Sequence, residues 1–273
     1  MVHTYSMRLM ILGSGTSYGI PVIGCQCAVC QSSDLRDRRM RSSLYIQGAR
    51  GELAVIDTGP EFRLQAVGAG ITALDGVFLT HSHADHLHGL DDVRPLCRER
   101  PLSVYGNRQT LEDLRDRFSY VFKETQKGGG KPRIITREAG EPVVIGALVF
   151  TPIPVKHGAL DILGWKIREA GNREAVYLTD TSMIPEPSFG LIGQPEVAII
   201  GGLRALEHET HFSFQQALEA GARLKARRIY LTHICHDHSH REIAAFCRRF
   251  CVQFKGACPA EVVEPVWDGQ IIS

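Results

Sequence analysis

The six residues His81-Ser82-His83-Ala84-Asp85-His86 restrict this chain more tightly than any other stretch. They supply three imidazoles and a carboxylate, a ligand density for which an ordinary surface loop has no use. In extended backbone alternate side chains share a side, so His81 and His83 can reach one metal ion. If the chain then enters a helix, Asp85 and His86 stand on its first turn and can reach a second ion. Imidazole with carboxylate suits borderline divalent ions such as Zn, Mn or Fe. The apolar run Gly76-Val77-Phe78-Leu79-Thr80 leads straight into the loop, and a helix-like stretch with Leu87, Leu90 and Val93 follows. A buried strand that ends in a ligand-rich loop is where α/β sheets carry their sites.

A second cluster lies nearer the start. Cys25, Cys27 and Cys30 form C-x-C-x-x-C, three soft ligands that need a fourth for a closed tetrahedral zinc site. His236, three residues after His233, is the expected fourth ligand, with Cys235 as its rival. Such a site has no open coordination position and is expected to pin the N-terminal loop rather than to catalyse. Cys97, Cys247, Cys251 and Cys258 have no assigned role, although Cys247 and Cys251 stand four apart on a predicted helix and suit a core. Eight cysteines in a chain of this size point to metal binding or burial rather than a disulfide framework.

The 273 residues read as one domain with enough apolar material, 44 %, for a sizeable core. Thirty-one basic and 30 acidic residues leave a net charge of +1. That balance gives no support to bulk electrostatic binding of nucleic acid or anionic membrane, so nothing beyond small nucleotides is expected. No run approaches the roughly 20 apolar residues of a membrane span. The opening residues lack a signal pattern, and a cytoplasmic location is expected.

Strands are predicted at 7–13, 43–47, 53–56, 76–80, 102–105, 133–136, 143–145, 148–153, 162–168, 175–178, 197–200 and 228–231, with short ones at the end. Helices are predicted at 61–69, 91–99, from 107, 186–192, 213–224 and 240–250. Each half puts strands first and helices later, which suggests two sheets packed face to face with helices outside. The glycine-rich turn 13–19 lacks dinucleotide spacing; its small residues let the backbone pass close to a ligand or another loop. Residues 119–133, with three consecutive glycines beside lysines, suggest a lid or an oligomer contact.

Three further ligand types stand just after apolar strands: His157, Asp180 and His233. Sorted by chemistry, one ion would take His81, His83 and His157, and the other Asp85, His86 and His233. Asp180 would serve both, because a carboxylate can bridge ions roughly 3.5–4 Å apart. Such a pair lowers the pKa of a shared water. Asp57, also at a strand end, is expected behind the ligands, holding a histidine by its free ring N–H, unless it caps the following helix.

The ordered set His81-x-His83-x-Asp85-His86, His157, Asp180 and His233 resembles the metallo-β-lactamase superfamily over nearly the whole chain. That resemblance implies an αββα sandwich, two mixed β-sheets with outer helices. The aspartates at 85 and 180 are similar to its hydrolase and phosphodiesterase branches. With Gly13-Ser14-Gly15-Thr16-Ser17, the three cysteines and Leu231-Thr232-His233-Ile234-Cys235-His236, the chain resembles the PhnP-like (phosphoribosyl 1,2-cyclic phosphate) phosphodiesterases. The resemblance implies a catalytic histidine upstream of the last ligand, which matches His211, with His208 as fallback donor. It also implies two active-site divalent ions, Zn or Mn, one structural Zn, a small cyclic phosphodiester substrate and a homodimer. The rivals are a tRNA 3′-end endonuclease, the pyrroloquinoline-quinone biosynthesis type, and a non-catalytic metal-binding scaffold.

Overall fold

The computed structural model describes residues 7–123, 130–169, 173–254 and 258–273. The first half lays down β1 (Arg8–Gly13), β2 (Ser43–Gln47), β3 (Leu53–Ile56), β4 (Gly76–Phe78), β5 (Leu102–Gly106) and β6 (Ile134–Glu138). The second half supplies β7 (Val143–Ile145), β8 (Leu148–His157), β9 (Leu160–Glu169), β10 (Arg173–Leu178), β11 (Val197–Gly201), β12 (Arg228–Thr232) and β13 (Val262–Pro265). The last strand, β14 (Ile271–Ile272), returns to pair antiparallel with β1. Two mixed seven-stranded sheets result, in the orders β14-β1-β2-β3-β4-β5-β6 and β13-β12-β11-β10-β9-β8-β7.

Each sheet has an antiparallel part and a parallel part. From β3 to β6 and from β10 to β13 neighbours run parallel. Parallel strands covered on both faces read as unbroken apolar runs, and Val197–Gly201 is buried at all five positions. Between the sheets, Phe78 stacks on Phe150 and meets Trp165 edge-on, within a core that includes Leu44, Ile46 and Tyr177. Fully burying a side chain of that kind contributes roughly 1.5–3 kcal/mol. The helices α1 (Phe62–Gly68), α2 (Ala84–Leu87), α3 (Arg108–Arg117) and α4 (Ser119–Phe122) follow strands of the first sheet, and α5 (Glu186–Ile192), α6 (Phe214–Arg223) and α7 (His240–Gln253) those of the second. Separate apolar clusters on the two outer faces complete the expected αββα sandwich.

Local chemistry sets the longer helices. Asn107 caps α3 by accepting from the Thr110 amide, and Ser213 with Gln216 and Ser239 with Glu242 form capping boxes at α6 and α7. Two predicted elements come out differently. The helix predicted at 91–99 is a 3-10 helix, Leu90–Cys97, with Pro95 inside it; proline gives no amide to an α-helical ladder. The strand predicted at 148–153 runs on through Pro152 and Pro154 to His157, so His157 ends the strand rather than following it. The Lys156 amide donates away from β9, to Met183, so even-numbered amides of β8 face the open side. Past β7 the prolines therefore remove no ladder bond.

Of the segment 119–133, residues 124–129 lie outside the described part, and with them most of the predicted lid or oligomer contact. Among the described residues no helix is long and apolar enough to cross a membrane.

Candidate metal centre

Strand ends deliver the site. After β4 the chain stays extended through His81 and His83, and His83 is the N-cap of α2, whose first turn carries Asp85 and His86. His157 closes β8, Asp180 lies two residues past β10, and His233 directly follows β12. Ligand atoms of His81, His83 and His157 fall within 4.8 Å of one another, as do those of Asp85, His86, Asp180 and His233. All seven residues expected around two ions are thereby brought together; Asp180, expected to serve both groups, stands with Asp85, His86 and His233 and, separately, within reach of His157 and His211.

The ring nitrogens are oriented from behind. His86 Nδ1 lies 2.7 Å from Asp57 Oδ2, and the Thr80 amide and hydroxyl each donate to Asp57 at 2.8 Å. Since that hydroxyl spends its proton on Asp57, it accepts from His81 Nδ1 at 3.0 Å. His157 Nδ1 lies 2.7 Å from the Thr210 carbonyl and donates to it. With Nδ1 engaged in each of these histidines, Nε2 is the nitrogen left facing inward, the one a metal would take. Asp57 takes the supporting position expected of it, and no helix-capping bond is made by it.

Burial opposes charge throughout the cluster, and the carboxylates decide which rings overcome it. Burial and the neighbouring His86 hold the His81 imidazole well below the ordinary range. Burial likewise disfavours the His86 imidazolium, but Asp180, Asp85 and Asp57 outweigh it and push the group well up. His233, also buried, is raised to about 9 by Asp180, whose Oδ1 lies 3.0 Å from its Nε2. His211 stands at the edge, its Nδ1 3.8 Å from Asp180 Oδ1 and its ring centroid 4.6 Å from that of His157. Burial and His233 push His211 down to about 3, below the neutral range in which an unperturbed imidazole exchanges its proton. A bound anion beside the ring favours its protonated form and works against that shift. His208 is exposed, its ring centroid 5.3 Å from that of His211 and its Nδ1 engaged with Thr210.

Three non-glycine residues of this region have left-handed backbone: Asp57 at φ 62°, Asp180 at φ 53° and His233 at φ 55°. Each sits where a strand turns off toward the cluster. Such conformations cost on the order of 1–3 kcal/mol and persist where the surroundings fix them. Close packing does the fixing at one turn: a Cβ on Gly59 would stand 2.3 Å from the Asp85 carbonyl.

The cysteine cluster assembles as expected. Cys25, Cys27 and Cys30 sulfurs lie 3.4, 3.5 and 3.5 Å from His236 Nδ1. The Cys30 amide donates to the Cys27 sulfur and holds that thiol down at about 6, whereas burial raises Cys30 to about 11. Cys235 stays outside the group, so the rival fourth ligand is set aside. None of the eight cysteines forms a disulfide, and Cys247 is core. The glycine-rich turn meets another loop, as foreseen: a Cβ on Gly13 would stand 2.0 Å from the Arg41 carbonyl.

Sequence reasoning missed the residues that brace these clusters. Arg39, 1 % exposed, donates to the carbonyls of Cys235 and His238 and to Asp37, tying the loop after His233 to the N-terminal segment. Asp113 and Arg117 of α3 grip the Ser82 hydroxyl and carbonyl, in the middle of the histidine loop. Their i, i+4 spacing shows that they share a helix face but not what that face meets. Thr80 was legible only as part of the strand run.

A family model for the Beta-lactamase superfamily domain matches residues 54–234. A solved structure described as a new diphosphatase from the PhnP family is 36 % identical, with a TM-score of 0.84 over 98 % of this chain and 97 % of that one. The zinc-bound PqqB of Methylobacterium extorquens shares the fold at 16 % identity and TM-score 0.74, over 97 % and 99 % of the two chains. An octanoyltransferase of Porphyromonas gingivalis is 39 % identical over 232 residues, 84 % of this chain. The chain spans only 46 % of that protein, whose name describes a polypeptide more than twice as long as the matched part. With the sandwich, the ligand clusters and these likenesses together, the chain belongs to the metallo-β-lactamase superfamily, as a PhnP-like hydrolase.

Proposed function

We propose that this hydrolase is a dinuclear metal-dependent phosphodiesterase acting on a small phosphate ester, of the phosphoribosyl 1,2-cyclic phosphate or 2′,3′-cyclic nucleotide type. One observation carries the reading: among the described residues His81, His86 and His233 each hold a buried Nε2 with no hydrogen-bond partner, His81 facing His83 and His157, and His86 and His233 grouped with Asp85 and Asp180. His86 Nε2 is 3.1 Å from oxygens of both Asp85 and Asp180 and makes a hydrogen bond to neither. Buried ring nitrogens crowded by carboxylates call for positive charge between them, which a divalent ion would supply in place of the ring protons.

The residues therefore fit divalent ions such as Zn or Mn, one held by His81, His83 and His157, the other by Asp85, His86 and His233, with Asp180 shared. Bound there, such ions supply Lewis acidity toward a phosphoryl group and lower the pKa of water. The chain's own groups do the rest. Asp57 and Thr80 hold His86 and His81 in the required tautomers, and the Thr210 carbonyl holds His157. His211, at the rim, is placed to carry a proton to the departing oxygen, with His208 behind it as fallback donor. Cys25, Cys27, Cys30 and His236 would hold a structural zinc, since three thiols and one imidazole leave no open position.

The likeness to a PhnP-family diphosphatase supports phosphoryl chemistry on a small substrate. The net charge of +1 gives no comparable support to a tRNA substrate. Elemental analysis with an activity assay on bis(p-nitrophenyl) phosphate and cyclic nucleotides tests the reading. About three ions per chain are expected, two of them removable by chelator with loss of turnover. A single ion, retained at the cysteines, with no hydrolysis would favour the scaffold reading instead.

A further inference from the structure

The two groups of ligand side chains are not held alike. Asp85, His86, Asp180 and His233 are all buried, and two of them are carboxylates that attract a cation directly. His81, His83 and His157 are three imidazoles, and His83 is exposed. Among the described residues the His83 ring makes no hydrogen bond, whereas Nδ1 of His81 and of His157 is engaged. With nothing behind the ring, the place of His83 depends on its backbone. Helix α3 holds that backbone. Asp113 accepts from the Ser82 hydroxyl and Arg117 donates to the Ser82 carbonyl, one residue before His83. Gln109 donates to Asp113 at 3.0 Å and keeps that carboxylate aimed. At the other end of the helix Asn107 uses both ends of its amide. Its oxygen caps α3, and its nitrogen donates to the Asp161 carbonyl at 2.9 Å. Asp161 lies on β9 opposite Lys156, beside the His157–Leu160 pair. One helix of ten residues, roughly 15 Å long, therefore joins the loop of His81 and His83 to the hairpin that carries His157. A cavity of about 650 Å³, lined by His83, His88, Arg117 and Phe118, lies beside the join.

We propose that α3 is a clamp across the two sheets that sets the His81–His83–His157 ion site, with Asn107, Asp113 and Arg117 as positioning residues, and that this site is the exchangeable one of the pair. This rests on the dinuclear part of the proposed function and not on the substrate. An ion in the other group is held by two carboxylates among buried donors. An ion here is held by three neutral rings, one of them open to the cavity, and by whatever it shares of Asp180. Its affinity thus depends on how well His83 is placed beforehand. A loop released by α3 would lose conformational freedom each time the ion bound, and the ion would bind more weakly by that amount. Groups behind a ligand are worth roughly 10–100-fold in metal affinity, and the clamp does for His83 what Asp57 does for His86.

The test titrates full-length protein, stripped by chelator of the ions at the centre, with Zn(II) by calorimetry and with Co(II) by visible absorption. The wild type should show two unequal steps, and His83→Ala should abolish the weaker one. Arg117→Ala should weaken that step about tenfold or more and leave the tighter step within about threefold. Asn107→Asp keeps a good helix cap but removes the donor to Asp161, and it should act in the same way from the opposite end. Arg117→Lys can still donate to a single carbonyl and should recover most of the loss. The Co(II) absorption lost in Arg117→Ala at limiting metal should be the part lost in His83→Ala. Equal weakening of both steps, with a lower melting temperature of the metal-free protein, would make α3 an ordinary structural helix and overturn the proposal. Two equal steps in the wild type, loss of the tighter step in His83→Ala, or steps unmoved by Arg117→Ala and Asn107→Asp would each overturn it too. A wild type that took up no ion at the centre would end the dinuclear reading and the clamp with it. Hydrolysis enters none of these readouts, so a wrong substrate class leaves their outcome unchanged.

Discussion

The cysteine cluster draws three of its four side chains from six consecutive residues, Cys25 to Cys30, and only His236 comes from afar. The histidine–carboxylate cluster gathers its members from the 81–86 loop and from the ends of β8, β10 and β12, in both sheets. It exists only once the sandwich has closed. The first cluster is a staple on a loop, with its four donor atoms gathered together and His236 also lining a cavity beside His211. The second is carried by the core and has His211 at its rim. Losing the staple should therefore cost stability before chemistry, and altering the core-borne cluster should cost chemistry before stability.

The sharpest way to break that distinction is His211→Ala. Turnover should fall roughly 10²–10⁴-fold, the scale of a general acid, with metal content unchanged. Because His211 also lies within ligand reach of His157 and Asp180, loss of an ion together with activity would make it a ligand instead. Next comes Asp57→Asn, which keeps the shape but weakens the acceptor behind His86. Metal affinity should drop roughly 10–100-fold with the fold intact, as metal titration followed by circular dichroism would show; unchanged affinity would reduce Asp57 to a structural hydrogen bond.

Cys27→Ser tests the other side. It should lower the melting temperature by several degrees and release one ion, while kcat on bis(p-nitrophenyl) phosphate changes about threefold or less. A large fall in kcat with no change in melting temperature would reverse the roles of the two clusters.

The smallest effect is one of pH, at the end of the molecule that Arg39 ties together. His240 is 5 % exposed, its amide donates to Asp37, and burial followed by Arg36 and Arg39 pushes its imidazole down to about 4. Unfolded, the ring takes its proton near pH 6.5. The unfolded chain thus binds that proton first as pH falls, so the contribution is complete above about 6.5 and lost on the way down to about 4. On the order of 1–3 kcal/mol of stability should disappear across that window, and His240→Gln should flatten the slope in urea melts at pH 7 and pH 4. A slope the same in both proteins would place the acid sensitivity elsewhere.

Much of this was readable in the sequence because the donors stand at the ends of apolar runs. Val55-Ile56 before Asp57, Leu178-Thr179 before Asp180 and Leu231-Thr232 before His233 announce buried strands that stop at a polar group. Spacing alone identified the three cysteines and chose His236 over Cys235. What stayed hidden depends on contacts between distant segments. No local pattern says that Arg39 will meet carbonyls some 200 residues away, or that Asp113 and Arg117 will grip Ser82. Pro152 and Pro154 look like the end of a strand until the open edge beside β8 is known.

The three left-handed residues have a consequence of another kind. At Asp57, Asp180 and His233 the backbone is in a region that glycine occupies freely, and asparagine more readily than most. Freed from its chemistry, a copy of this chain would relax by drifting toward those residues at these three points, and its loss of function would be written there first. This chain instead carries a metal-binding type of side chain at all three, and aspartate and histidine are among the few non-glycine residues that enter this region.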